Sequence, residues 1–119
     1  MQRKVNILGT MWVVHTKVSA DSDKELRDRF GYCSHMGHRI VIADLLTVED
    51  WKEEPEDIRE AQERQTMRHE VIHAFLDESG LRGSSNAVNA WAINEEMVDW
   101  IASQYPKIKK VFELLKCED

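Results

Sequence analysis

No stretch of this chain comes near the roughly 20 consecutive apolar residues that a membrane-crossing helix requires. The opening segment, MQRKVNILGT, runs straight into strand-like sequence, with neither the apolar core nor the small-residue cleavage site of a signal peptide. These two absences lead to the expectation of a cytoplasmic protein with no membrane partner. Cysteine is scarce: Cys33 and Cys117 are too few and too far apart for a disulfide framework or a four-cysteine zinc site. Positive charge is in deficit, with 16 Lys and Arg against 22 Asp and Glu for a net charge of -6. Without a basic stripe, such a chain repels phosphate backbones, and no nucleic acid partner is expected. Repeats, low-complexity tracts and interdomain linkers are missing too, so residues 1–119 read as one domain.

What is present divides into two halves. In KVNILGTMWVVHTKVS, alternating apolar residues on either side of Gly9-Thr10 predict a hairpin, with a tight turn or a bulge at that pair. Asp21 to Asp23 before KELRDRF, with Gly31 after it, are start and stop signals for a short helix. A turn at Met36-Gly37 then feeds a strand from Arg39 to Ala43. Beyond Asp44 the pattern becomes helical. Thr47 to Asp50 has capping-box spacing, and Pro55-Glu56-Asp57 suits the first turn of a long helix ending at Ser79. Gly80 can adopt the left-handed conformation that closes it, with Leu81 folding back. After the polar loop RGSSN, a second helix is expected from about Ala87 to Tyr105. Pro106 is expected to open a third, with Ile108, Val111, Phe112 and Leu115 on one face.

The long helix contains RHEVIHAFLDESGL. Residues four apart lie about 40° from each other around a helix, so His69 and His73 project from one face, one turn apart, and can grip one ion. Glu70 sits about 100° away, beside a water held at that ion, where a general base belongs. Shuffling this composition would produce the same HExxH pattern in roughly a few per cent of cases, so the motif alone is suggestive. The competing reading is an amphipathic helix with Ile72, Phe75 and Leu76 in the core and two half-exposed histidines.

A hydrolytic zinc site needs a third protein ligand and leaves the fourth position open. AINEEMVDW supplies a candidate: Glu95 and Asp99, four apart, share a face with Trp91, Ala92, Val98 and Ala102 that is expected to pack inward. Buried carboxylates cost several kcal/mol unless paired or metal-bound. Glu95 as ligand, with Asp99 accepting a ligand histidine's free ring N–H, would supply that compensation. Otherwise the pair lies on a solvated helix face.

HEVIHAFLDESGL followed by AINEEMVDW resembles the HExxH and downstream NExxxD motifs of the gluzincins, the thermolysin-like zinc peptidases, over about 35 residues. GYC, RIVIAD and NEEMVDWIASQYPKI extend a likeness over nearly the whole chain to short phage and prophage proteins of Gram-positive bacteria, placed near minimal gluzincins and ImmA/IrrE-type metallopeptidases. The resemblance implies an α+β zincin-like domain, a small twisted sheet packed on an active-site helix, a glutamate helix and a C-terminal helix. It implies Zn2+ held by His69, His73 and Glu95, Glu70 as base and proton shuttle, Asp99 as orienter, and Asp77 as a structural support behind the ligands. A peptide or protein substrate would lie along an edge strand, which by resemblance is Arg39 to Ala43. The chain departs from the larger family members in lacking a second helical subdomain and a recognisable downstream histidine for oxyanion stabilisation. His35, His38 and Tyr105 are the candidates for that last role. Cys33, His35 and His38 offer a second metal cluster, or Cys33 a substitute for Glu95; a polar hairpin loop is the alternative.

Overall fold

The computed structural model describes residues 1–82 and 95–119. Strand β1 (Gln2–Ile7) and strand β2 (Thr10–Val18) pair antiparallel, closing at Ile7 opposite Thr10. The two residues between them, Leu8 and Gly9, have φ of 51° and 95°. Positive φ at both positions matches the twist of the flanking strands, as a type I′ hairpin turn does. The turn therefore falls one residue earlier than Gly9-Thr10, and the Asn6 side chain steadies it by accepting from the Gly9 N–H at 2.8 Å.

Strand β3 (Gly31–Ser34) and strand β4 (Arg39–Ala43) complete a mixed sheet in the order β1-β2-β4-β3. β4 runs parallel to β2 and antiparallel to β3. This corrects the expectation that Arg39 to Ala43 forms an edge, for β4 is paired on both sides. Its residues explain why. Ile40 and Ile42 enter the main core with Val5, Ile7, Trp12 and Val14, while Val41 and Ala43 face a second cluster around Leu26. A strand covered on both faces needs an uninterrupted apolar run, and IVIA is one. Among the described residues the edges are β1 and β3. The short helix expected in KELRDRF shrinks to a 3₁₀ turn, Lys24–Leu26, capped by Asp23. The chain must be extended again by Gly31 to form β3.

Helix α1 (Glu56–Glu78) starts after Pro55, as the sequence predicts. Gly80 takes φ of 74°, and the Leu81 N–H returns to the Leu76 carbonyl at 3.1 Å. Between Asp44 and Pro55 the structure has only a 3₁₀ turn, Leu45–Thr47, capped by Asp44. Thr47 is no helix cap: its hydroxyl donates to the Asp44 carbonyl and accepts from the Ala20 N–H. Met67, Val71, Ala74 and Phe75 seat α1 on the sheet.

Helix α2 spans Glu95–Leu115 without a break, with Pro106 inside it. That corrects the expectation of separate helices on either side of Pro106. Proline removes one N–H from the ladder and leaves a carbonyl one turn earlier unmet. Tyr105, Pro106 and Lys107 are all exposed, so water can serve that side of the helix. Ile108 and Val111 are buried in the core, with Phe112 and Leu115 packed against it. The expected start of this helix, near Ala87, lies outside the described residues. No helix among the described residues is long and apolar enough to cross a membrane.

Glu78, at the end of α1, ties the helix to the first hairpin. One of its oxygens accepts from Trp12 Nε1 at 2.8 Å, the other from the Thr10 hydroxyl at 2.9 Å. Trp12 is fully buried, so its indole N–H has no water to fall back on. Glu78→Ala is expected to cost about 1–3 kcal/mol by leaving that donor unpaired. An unchanged urea midpoint would rule the tie out as a stability element.

Gly31 sets how closely β3 approaches α1. A Cβ there would lie 2.8 Å from Thr66 Cγ2 and 2.9 Å from the Val41 carbonyl oxygen. Gly31→Ala is therefore expected to push the strand off the helix and destabilise the fold by about 1–3 kcal/mol. A melting temperature equal to that of the parent chain would refute this contact.

Candidate active site

Helix α1 inverts the usual order of burial over one turn. Glu70 is 7% exposed, whereas Ile72 is 39% exposed and both His69 and His73 stand in the open. The amphipathic-helix reading, with Ile72 in the core and no special role for the acid, is not what α1 does here. A carboxylate is turned inward against the β3 side, with the two imidazoles beside it.

The imidazoles converge. His69 Nε2 and His73 Nε2 are 3.1 Å apart, with ring centroids at 4.7 Å and planes at 72°. Two ring nitrogens come this close when one donates N–H to the other or when both face one cation. With Zn–N bonds of about 2.0–2.1 Å, nitrogens on neighbouring corners of a tetrahedral zinc lie about 3.3 Å apart, so the pair is spaced to serve as two ligands. Glu70 Oε1 is 4.0 Å from His69 Nε2, next to the point of convergence without joining it. Burial raises the pKa of Glu70 above the usual carboxylate range, while His69, His73 and Arg29 pull it back down. The result is a carboxylate with a stronger than ordinary hold on a proton.

The three residues open into a cleft of about 690 Å³ that also takes in Gly31, Cys33, Asp77 and Arg82. One wall of the cleft is β3, which pairs with no strand on its outer side among the described residues. The Ala43 N–H donates to the Phe30 carbonyl, so antiparallel alternation turns the backbone groups of Gly31 and Cys33 away from β4, toward the open side. Cys33 Sγ lies 3.7 Å from Asp77 Oδ2, one turn beyond His73. Burial, then the Asp77 and Glu70 charges, push the Cys33 thiol up to about 12. It is a protonated thiol here.

The remaining candidates are placed elsewhere. Glu95 and Asp99 are exposed on the first turns of α2, as is Glu96, so the inward-packing face expected for the acids is not formed by these side chains. Helix α2 meets the core at Trp100, whose ring N–H donates to the Ser79 hydroxyl at 3.3 Å, and at Ile108 and Val111, while the Glu95, Glu96 and Asp99 side chains stay in the open. Trp91, Ala92 and Asn94 lie outside the described residues. Among the described residues, no group of three His, Cys, Asp or Glu side chains is assembled to hold a metal. Cys33, His35 and His38 diverge: the first turns to Asp77, the second meets Arg82 at 2.7 Å, and the third lies against Trp12 and 3.8 Å from Glu78. Tyr105 is exposed on α2.

Sequence reasoning missed Arg29, Tyr32 and Arg82, all of which line the cleft. No spacing marks them, because each comes from a different loop or strand and meets the others only in the fold. The edge at β3 was missed too, since the sequence reading placed the edge at Arg39 to Ala43, and the short GYCS segment becomes an edge only through its pairing with β4. No family model matches the chain, and comparisons with curated proteins and with solved structures find no match either.

Proposed function

We propose that this chain is a zinc-dependent metallopeptidase of the gluzincin type, a minimal zincin-like domain that hydrolyses peptide bonds. The observation that carries the reading is the convergence of His69 and His73 Nε2 at 3.1 Å beside the buried Glu70, in a cleft bordered by β3, an edge strand among the described residues. His69 and His73 would hold the ion, with Glu95 the third ligand implied by the sequence motif and Asp99 and Asp77 as supports. Bound there, zinc would supply Lewis acidity, polarising the scissile carbonyl and lowering the pKa of a water.

The chain's own residues do the rest. An extended peptide adds to β3 through the outward amide and carbonyl groups of Gly31 and Cys33, which lays it along the open side of the cleft. Edge pairing fixes the peptide by its backbone. Glu70 accepts a proton from the attacking water and returns it to the leaving amine; its raised proton affinity suits both halves of that exchange. Gly31 and Leu76 line the same cleft, and Glu70 itself is buried. The test is cleavage of an unfolded protein by the zinc-loaded chain beside its Glu70→Gln variant, read by mass spectrometry.

The exposure of Glu95 favours a second reading, in which zinc stabilises a regulatory or protein-binding module of phage origin without efficient catalysis. Full zinc loading with no cleavage of any substrate would select it.

A further inference from the structure

Charge is unevenly spread over this fold. The four strands carry Arg3, Lys4, Lys17 and Arg39 and no Asp or Glu, in a chain of net charge -6. At the open end of the first hairpin, β1, β2, α1 and the end of α2 surround a hollow of about 380 Å³. It shares no lining residue with the cleft that holds His69, Glu70 and His73. Its floor is apolar: Val14 and Met67 belong to the core, and Leu115 packs against it.

The rim is cationic. Arg3 and Lys116 line the hollow, and no Asp or Glu does so among the described residues. Arg3 alternates with Val5 and Ile7 along β1, which puts its side chain on the helix-covered face of the sheet. Lys116 is delivered by the turn that ends α2. Its φ is 54°, its N–H donates to the Glu113 carbonyl at 3.2 Å, and the Cys117 N–H donates to the Phe112 carbonyl at 3.1 Å. Glycine takes such a left-handed position without steric cost, whereas here the position carries a lysine and adds a cation to the rim.

Neither charge is neutralised within the fold: among the described residues, no ion pair or side-chain hydrogen bond engages Arg3 or Lys116. Acids enter only in an adjoining hollow of about 230 Å³, which shares Thr16, Met67, Leu115 and Lys116 and adds Glu60 and Glu63. Those acids have a cation of their own. Glu63 binds Lys17 Nζ at 2.6 Å and accepts from the Leu45 N–H at 2.9 Å, and Glu60 acts on the same ammonium.

An apolar floor beneath two unpaired cations complements an anionic head on an aliphatic tail. We propose that this hollow binds a small aliphatic carboxylate, its tail on Val14, Met67 and Leu115 and its head held by Arg3 and Lys116 through charge-assisted hydrogen bonds. The volume lies at the lower end of the range for small-molecule sites and suits a tail of roughly eight carbons. This site does not depend on the peptidase reading.

The test titrates octanoate into the protein and follows backbone amide shifts by NMR, beside uncharged octanamide and the shorter hexanoate. Octanoate is expected to shift the amides of Arg3, Thr16 and Lys116 and to bind about tenfold more tightly than octanamide. Hexanoate, two methylenes shorter, is expected to bind roughly tenfold more weakly than octanoate. The Arg3→Gln/Lys116→Gln double variant is expected to bind octanoate and octanamide equally, at an unchanged melting temperature because both side chains are exposed. Should that variant melt earlier, the comparison of octanoate with octanamide on the parent chain decides alone. Equal binding of those two by the parent chain, or a preference that survives in the double variant, would overturn the role of the cations and with it the proposal. Equal binding of octanoate and hexanoate would do the same for the apolar floor. Shifts confined to the residues around His69 and His73, or no shifts at millimolar octanoate, would remove the site altogether.

Discussion

Glu70→Gln is expected to lower peptide hydrolysis by roughly 10²- to 10⁴-fold with zinc still bound. Glutamine keeps the volume and the hydrogen-bonding shape of the side chain but accepts no proton. Glu70 is buried beside the histidine pair, so an isosteric change avoids a cavity that would confuse loss of chemistry with loss of fold. Burial already disfavours the charged form of Glu70, so a neutral amide in its place is not expected to lower the melting temperature. The informative comparison is therefore cleavage rate against zinc content and thermal midpoint in the same preparations. Wild-type cleavage that persists in the variant would remove Glu70 from the role of base.

Metal removal should have the largest effect on stability. Reconstituted protein is expected to carry one zinc per chain, and at free zinc near a thousand times the dissociation constant the folded state gains about 4 kcal/mol. For a domain of this size that is a rise in melting temperature on the order of ten degrees or more, reversed by a chelator. His73→Ala is expected to abolish both the zinc and the rise, while leaving the metal-free midpoint nearly unchanged, since His73 is exposed and outside the core. Glu95→Ala decides the third position: a loss of zinc comparable to that of His73→Ala would assign the ligand to Glu95, whereas an unchanged zinc content would remove it from the site. Wild-type protein that takes up no zinc at all would reduce HEVIH to an ordinary helical segment, and the hydrolase reading would fall with it.

Helix α1 was legible from its punctuation. Pro55 with two acids after it, and Gly80 with Leu81 behind it, act within a single turn of backbone, so their effect does not depend on what the helix packs against. The pairing of His69 with His73 has the same local character, because a spacing of four on a helix brings two side chains together wherever the helix lies. The hairpin was also visible, though its turn slipped by one residue; the choice between Leu8-Gly9 and Gly9-Thr10 rests on which register buries Val5, Ile7, Trp12 and Val14.

Strand order was the main loss. Nothing in RIVIA states that its partners are β2 on one side and β3 on the other, and its unbroken apolar run, which fits burial on both faces, was instead assigned to an edge. Pro106 misled for a related reason: proline ends a helix when its unmet carbonyl is buried, and here that side is exposed. The inward face expected for Glu95 and Asp99 depended on how α2 sits on the core, through Trp100, Ile108 and Val111, which neither acid's own neighbourhood reveals.

By itself, then, the sequence determined what acts within a few residues: the extent of α1, its ends, and the alignment of His69 and His73 with Glu70 between them. Only the tertiary structure decided that β3 is the edge strand beside them among the described residues, that Glu70 is buried, and that Arg29 and Arg82 border the same cleft. The division follows from the reach of the forces. Helical geometry and capping act over one or two turns, whereas burial and local potential depend on residues brought together from β3, α1 and the loops between them.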